Sequence, residues 1–290
     1  MGLRVGVVIL PDLPWSVARD RWREAEQRGF RTAWTYDHLS WRTLRDGPWL
    51  GAVPLLSAAA AVTTTLRLGT LVTTPNFRHP VLLAKDVMTL DEISGGRMEL
   101  GIGAGGTGWD ATALGGDPFP PAERLGRFAD FVAALDVMLR QPAGSYEGAH
   151  FRAPEYRTYP GCAQQPRVPF TVAATGRRGI AVAAEYGACW VTFGPIGAEP
   201  GAEHWFAGVE RQVGRLNDAC VTRGREASSI RRMALVSLDA TWADGTQSRW
   251  DDFTARITEL GFTDVVVHWP RPGDPALPGC DPAVFDALTP

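Results

Sequence analysis

An aspartate and a histidine stand side by side where a short apolar segment ends. Asp37 and His38 follow residues 31–36, which have the composition of a buried strand. Histidine titrates close to neutral pH, so at the end of such a strand it can donate or accept a proton during a reaction. The alternative is an Asx turn followed by a surface histidine. We take Asp37 and His38 as the candidate catalytic residues.

A glycine-rich segment, residues 101–106, fits the GxGxxG pattern of dinucleotide-binding folds. In those folds a helix begins within the glycines, so that its N-terminus faces the pyrophosphate. Here residues 109–110 and 115–118 intervene before any helical pattern. We therefore interpret the segment as a strand end whose glycines let a flat group approach the backbone, with Gly103 and Gly105 as candidate contacts.

A second segment, residues 174–179, lies between an apolar run and an alanine-rich helical pattern. A helix that begins there offers free backbone N–H groups beside two guanidinium groups, an arrangement that suits a phosphate. A solvated basic helix start is the alternative. The candidate phosphate-binding residues are Ala174, Thr175, Gly176, Arg177 and Arg178.

Four aromatic residues that follow predicted strands are candidate walls of a substrate pocket, with packing in the core as the alternative for each. They are Trp41, Trp109, Phe193 and Trp269.

Other chemistries find little support in the sequence. No HExxH pattern is present, the five histidines are scattered, and the four cysteines form no CxxC pair, so we predict no metal and free thiols. The sequence has no GxSxG nucleophile elbow. Lys85, the only lysine, falls within a helical pattern, which gives no reason to expect Schiff-base chemistry.

Eight apolar runs, each followed by a helical pattern, must position these residues. They span residues 3–10, 31–36, 66–73, 97–101, 168–173, 188–193, 232–238 and 263–267. Continuous apolar runs are typical of parallel strands covered on both faces. Eight such units in one rhythm predict a (β/α)8 TIM barrel, an α/β fold in a single domain over residues 1–290, with candidate catalytic residues at the C-terminal strand ends. Residues 141–166 interrupt the rhythm between units four and five as an irregular insertion that could hold a short hairpin.

Composition excludes several classes of protein. The net charge is −3 and the isoelectric point about 6.0, so nothing favours nucleic acid as a partner. No apolar run approaches the roughly 20 residues that a membrane span needs. Residues 1–10 have the pattern of a buried strand, not of a signal peptide. We expect a cytoplasmic protein.

The sequence resembles the luciferase-like monooxygenase superfamily, and within it the branch of F420-dependent oxidoreductases. The resemblance runs along nearly the whole chain, and the order and spacing of its motifs are more specific than any one of them. The motifs are residues 36–39, 68–73, 78–80, 94–97, 100–105, 123–128 and 174–179.

This resemblance implies a bacterial-luciferase-like barrel that holds a flavin or deazaflavin at its C-terminal mouth. In relatives a β-bulge with a non-prolyl cis peptide presses against the central ring, which corresponds here to Leu71-Val72 with Thr73 beside it. The glycines after the fourth strand and residues 174–178 would take the ribityl phosphate side. Asp37 and His38 would lie near the ring and the substrate.

The resemblance implies F420 as the cofactor, with FMN as the alternative. F420 implies hydride transfer to or from an unidentified small organic substrate, whereas reduced FMN implies a two-component monooxygenase. A non-catalytic barrel subunit is a further alternative. The resemblance also implies a homodimer, and a separate flavin or F420 reductase that supplies reduced cofactor.

Overall fold

The computed structural model describes residues 2–196 and 201–288. Its strands are β1 (Arg4–Val8), β2 (Thr32–Thr35), β3 (Arg67–Thr73), β4 (Met98–Gly103), β5 (Ala143–Glu147), β6 (Arg152–Arg157), β7 (Phe170–Ala173), β8 (Cys189–Thr192), β9 (Arg231–Leu235) and β10 (Asp264–His268). Its helices are α1 (Trp15–Gln27), α2 (Ala52–Val62), α3 (Pro80–Ser94), α4 (Pro121–Arg140), α5 (Arg177–Tyr186), α6 (Ala202–Thr222), α7 (Thr241–Asp244), α8 (Gln247–Glu259) and α9 (Pro282–Ala287). Short 3-10 turns cover Arg42–Leu44, Trp109–Ala111 and Ala227–Ser229.

Eight of these strands close into a parallel barrel in the order β1-β10-β9-β8-β7-β4-β3-β2. All eight correspond to the apolar runs seen in the sequence, so the predicted (β/α)8 barrel is confirmed. The helices pack their apolar faces on the outside of the barrel, and a second apolar cluster that includes Trp34, Leu71 and Met233 fills its interior. No helix in the described part of the chain is long and apolar enough to cross a membrane.

The insertion between β4 and β7 contains an antiparallel hairpin, β5–β6, as its sequence suggested. The carboxylate of Asp130 on α4 fixes it, because Oδ2 accepts hydrogen bonds from the backbone N–H groups of His150 and Phe151 at 2.6 and 2.9 Å. The Tyr146 hydroxyl also donates to Asp130. The hairpin is therefore attached to the outer helical layer.

Buried charges close the N-terminal end of the barrel. Glu99 points into this end and pairs with Arg231 and, at 3.5 Å, with Arg67. Arg231 also pairs with Asp264 at 3.1 Å, and Asp264 pairs with Arg4 at 2.7 Å. Three arginines thus share two buried carboxylates at this end, and the residues predicted to be catalytic lie at the opposite, C-terminal end.

The pairing of β3 with β4 is irregular just below that mouth. The register shifts between Thr70 and Thr73, and the Leu71-Val72 peptide bond within the shift is cis. A Cβ on Gly101 would lie 1.9 Å from the Thr70 carbonyl oxygen, so β4 needs a glycine here to accept the bulge. The bulge and the cis peptide stand at the position that the resemblance implied.

Candidate active site

A cavity opens at the C-terminal end of the barrel, where the resemblance and the fold both place chemistry. The ends of β2, β3, β7, β8 and β9 line it. Most of the lining is apolar and includes Leu71, Val72, Val191 and Leu235, which come from different sides of the barrel. The polar groups at the cavity are few and are concentrated in the loops that follow β2 and β9, so they define where a reaction can take place.

His38 lies on this lining and is held by a residue from a distant loop. Its Nδ1 is hydrogen-bonded to Oδ2 of Asp110, while Oδ1 of Asp110 accepts the Leu39 N–H at 2.7 Å. Trp49 Nε1 donates to the His38 carbonyl oxygen at 2.8 Å. Because a carboxylate only accepts hydrogen bonds, Nδ1 carries the proton, and Nε2 is the nitrogen left to exchange a proton with a ligand.

A tyrosine and a second histidine meet beneath His38. Nδ1 of His268 lies 2.9 Å from the Val236 carbonyl oxygen and must donate to it, so Nε2 accepts from the Tyr36 hydroxyl at 2.8 Å. Burial lowers the pKa of His268 to about 3, although its bond to Val236 acts in the opposite direction. Burial also raises the pKa of Tyr36. The pair is therefore neutral across the physiological pH range.

Asp37, the other predicted catalytic residue, forms a buried ion pair. Arg78 donates to both of its carboxylate oxygens, from Nε at 3.1 Å and from Nη2 at 2.7 Å. Only 2% of the Asp37 side chain is exposed. Burial alone would lower the pKa of Arg78, but the bond and the charge of Asp37 raise it overall. The pair ties the end of β2 to the loop after β3 and so supports the backbone next to His38.

The bulge in β3 brings Leu71 and Val72 onto the cavity lining. Thr73 beside them is fully buried, and its Oγ1 has no hydrogen-bond partner among the described residues. Of the predicted cofactor-binding residues of this strand, Leu71 and Val72 thus face the cavity as an apolar surface, whereas Thr73 is buried outside its lining.

Protein side chains lie beside the glycines after β4, where a flat ring was expected. A Cβ on Gly103 would lie 2.6 Å from Cγ2 of Val72, and one on Gly105 would lie 2.6 Å from Nδ2 of Asn76. Asn76 also donates to the Gly106 carbonyl oxygen at 3.0 Å. The space that these glycines leave open is therefore filled by β3 and the loop after it. A role for Gly103 and Gly105 beside a flat ring stays a prediction.

The segment after β7 adopts the predicted helix start. Ala173 lines the cavity, Ala174 is buried, and α5 begins at Arg177 with Gly176 as an N-cap that has no side-chain cap bond. Arg177 and Arg178 are exposed, and neither pairs with a carboxylate in residues 2–196 or 201–288. Free N–H groups and two free cations thus stand together here.

Two of the four predicted pocket aromatics line the cavity, namely Trp41 and Phe193. Trp109 is 47% exposed, and Cζ of Arg45 lies 3.7 Å from the centre of its ring. Trp269 packs on Phe285 of α9 with ring centres 4.9 Å apart. The structure thus places Trp109 and Trp269 outside the cavity lining.

The predicted set lacked Tyr36, Arg42, Asp110 and His268, and also the lining residues Ala173, Val191, Leu235, Ser237 and Leu238. Tyr36 and His268 stand at strand ends of the predicted barrel, a position that could have marked them. Asp110 lies in a polar loop 72 residues from His38, and no local pattern indicates the contact. Arg42 belongs to a short 3-10 turn that no sequence pattern predicts.

Comparisons with known proteins identify the family and support the fold. The model of the family described as luciferase-like monooxygenase matches residues 3–277. An F420-dependent glucose-6-phosphate dehydrogenase of Beutenbergia cavernae is 30% identical over 293 aligned positions, which cover 85% of each chain.

Two solved structures share the barrel fold at low sequence identity. One is an F420-dependent secondary alcohol dehydrogenase in complex with an F420–acetone adduct, with a TM-score of 0.76 and 17% identity over 92% of this chain and 93% of that one. The other is the coenzyme F420-dependent tetrahydromethanopterin reductase of Methanopyrus kandleri, with a TM-score of 0.72 and 19% identity over 93% and 94%.

Proposed function

Because this chain belongs to the luciferase-like monooxygenase family, we propose that it is an F420-dependent oxidoreductase that transfers hydride between the deazaflavin and an organic alcohol or its carbonyl product. The observation that carries the proposal is the His38–Asp110 pair, which leaves Nε2 of His38 available at the apolar cavity. The 30% identical relative is named as an F420-dependent dehydrogenase, which favours F420 over FMN.

The residues present fit such a cofactor. The apolar surface of Leu71 and Val72 on the cavity lining suits one face of a flat ring. Arg177 and Arg178, with the free N–H groups of α5, suit a phosphate. We propose that the ring lies against β3 and that its phosphate side chain runs toward α5.

Bound F420 would supply the hydride acceptor or donor. The protein itself would hold the substrate in position and transfer the proton. In the oxidation of an alcohol, the substrate carbon loses a hydride, and Nε2 of His38 accepts the hydroxyl proton as the carbonyl forms. Asp110 stabilises the imidazolium that results, as the carboxylate of a catalytic triad does. In the reverse direction the same nitrogen returns the proton.

The neutral Tyr36–His268 pair serves this chemistry by staying uncharged. A buried cation beside His38 would disfavour its protonation, and burial holds the pKa of His268 near 3. The Tyr36 ring contacts the His38 ring edge-on, with centres 5.9 Å apart. We propose that the pair limits the orientations of His38.

The cofactor proposal is tested by titrating the protein with F420, FMN and FAD and following cofactor fluorescence. We expect saturable binding of F420 and weaker binding of the flavins. Arg177→Ala should weaken F420 binding by about 1–3 kcal/mol because a charge-assisted contact to phosphate is lost. Arg152→Ala, on the exposed hairpin, is the matched control and should change nothing.

Tight FMN binding without F420 binding would contradict the proposal, and oxygen uptake with reduced FMN and substrate would then support the monooxygenase alternative. Absence of all cofactor binding would favour a non-catalytic barrel. If F420 binds, His38→Ala should lower turnover much more than it lowers F420 affinity. Homodimerisation and a separate reductase stay predictions, the first of which analytical ultracentrifugation can check.

A further inference from the structure

One cation on the cavity lining has no part in the proposed hydride transfer. Arg42 lines the cavity at the start of the 3-10 turn that follows β2, and its backbone has φ of +45°. A residue with a Cβ is rare in this left-handed region, and glycine adopts it at lower cost. Such backbone outliers cluster at binding sites, which makes the presence of arginine here a reason to look for a ligand.

The guanidinium of Arg42 is positioned but not neutralised. Arg42 is an exposed residue that lines the cavity, and its Cζ lies 4.7 Å from the centre of the Trp41 ring in a cation–π contact. In the described part of the chain no carboxylate forms an ion pair with Arg42. The charge of Asp239 contributes to the raised pKa of the neighbouring Tyr36, but Asp239 is exposed and does not pair with Arg42. Arg45 in the same loop differs, because it pairs with Asp46 and stacks on Trp109.

The position of Arg42 separates it from the proposed phosphate site. Arg42 follows β2, whereas α5 follows β7, and these strands are three places apart in the barrel order with β3 and β4 between them. The Trp41 ring that carries Arg42 lies 5.1 Å from the Tyr36 ring and 6.4 Å from the His38 ring, centre to centre. Arg42 is therefore close to the proposed proton acceptor and away from the helix that suits the cofactor phosphate.

We infer that the substrate is an anion, an alcohol or carbonyl compound whose carboxylate or phosphate group binds Arg42 while its oxygen faces His38. Apart from this arginine and Tyr36, His38 and Ser237, the rest of the cavity lining is apolar, so the body of the molecule is largely apolar as well. The inference rests on the proposed function and adds the class of substrate. A neutral alcohol of the same size would leave Arg42 without a partner and would bind more weakly.

The test uses simple probes on the F420-loaded protein, with binding measured by calorimetry. Benzoate and phenyl phosphate carry the anion on an aromatic body, and benzamide is the neutral match for benzoate. We expect the anions to bind about fivefold to tenfold more tightly than benzamide at low salt, with the preference declining as salt screens it. Arg42→Gln should remove the preference, and Arg42→Lys should retain part of it.

Arg45→Gln is the matched control because Arg45 belongs to the same loop but does not line the cavity. It should keep the preference for the anions. F420 affinity is measured for every variant, and Arg42→Gln should leave it unchanged, which also shows that the variant is folded.

Three results would overturn the inference. They are the absence of any preference in the wild type, a preference that survives Arg42→Gln, and a loss of F420 affinity in Arg42→Gln, which would assign Arg42 to the cofactor. A protein that binds no F420 contradicts the proposed function itself. A wild-type protein that binds F420 but does not prefer the anions over benzamide contradicts only the substrate class.

Discussion

Replacement of Arg78 by alanine tests whether Asp37 is a structural anchor, as its ion pair indicates. Both oxygens of Asp37 are held by the same guanidinium, and the carboxylate has almost no exposure of its own. Removal of one partner of a buried pair costs roughly 3–5 kcal/mol. Because 24% of the Arg78 side chain is exposed and water can reach the vacated site, we expect a loss of about 2–4 kcal/mol in the free energy of unfolding.

Urea denaturation of a double-mutant cycle isolates the pair. The cycle compares Arg78→Ala, Asp37→Asn and the double variant, and the double variant should be less destabilised than the sum of the singles by roughly 1–3 kcal/mol. Arg152→Ala is the control, because Arg152 and Glu147 form a fully surface pair with 75% and 76% exposure. Its effect should stay below about 0.5 kcal/mol.

An Arg78→Ala variant that loses less than about 1 kcal/mol, or strictly additive single variants, would refute the anchor role. A stable Asp37→Asn variant that has lost turnover would instead support the catalytic role first predicted for Asp37. The distinction matters for His38, which directly follows Asp37 and depends on the same backbone.

Three further predictions concern other charged groups. Burial acts to raise the pKa of Glu26, but hydrogen bonds from the N–H groups of Thr65, Leu66 and Thr64 lower it to about 2. Glu26→Gln should therefore lower the free energy of unfolding by roughly 1–2 kcal/mol at pH 7. In urea denaturation the difference between the variant and the wild type should vanish as pH falls from about 4.5 to 2, and a difference that stays constant would contradict the prediction. Burial raises the pKa of Asp244 to about 7, so ionisation of this group should reduce the stability of the protein as pH rises from about 4 to 7. The free energy of unfolding of Asp244→Asn should match that of the wild type near pH 4 and exceed it by roughly 2–4 kcal/mol at pH 8. Equal stabilities at pH 8 would count against this prediction. Asp110→Asn should lower F420-dependent turnover roughly 10- to 100-fold with nearly unchanged F420 affinity, and full turnover would remove Asp110 from the proton-handling role.

The barrel could be predicted because its strands leave a local signal. Parallel strands covered on both faces must be apolar throughout, and helices packed on one side must repeat at helical spacing, so the alternation is visible residue by residue. The Leu71-Val72 bulge was expected only through the family resemblance, because a run such as residues 66–73 does not show where its register will shift.

The candidate site was predictable only in part, because several of its contacts join segments that are distant in the sequence. His38 could be proposed from its strand end, but Asp110, which determines which ring nitrogen is free, comes from a loop after β4. Aromatic residues in loops were ambiguous for a related reason. Trp41 and Trp109 both follow strands, yet Trp109 is outside the cavity lining and stacks with Arg45, a residue whose position no local pattern reveals.

The close approach of β3 to β4 also limits how this barrel can recombine with its relatives. Gly101 and Gly103 accept the bulge at Thr70 and Val72, and Gly105 accepts Asn76, so each strand has the shape that the other requires. A chimera with its crossover between β3 and β4 would join a bulge from one parent to a strand fitted to another. We therefore expect that a chimera keeps the cavity only if residues 66–106 come from one parent.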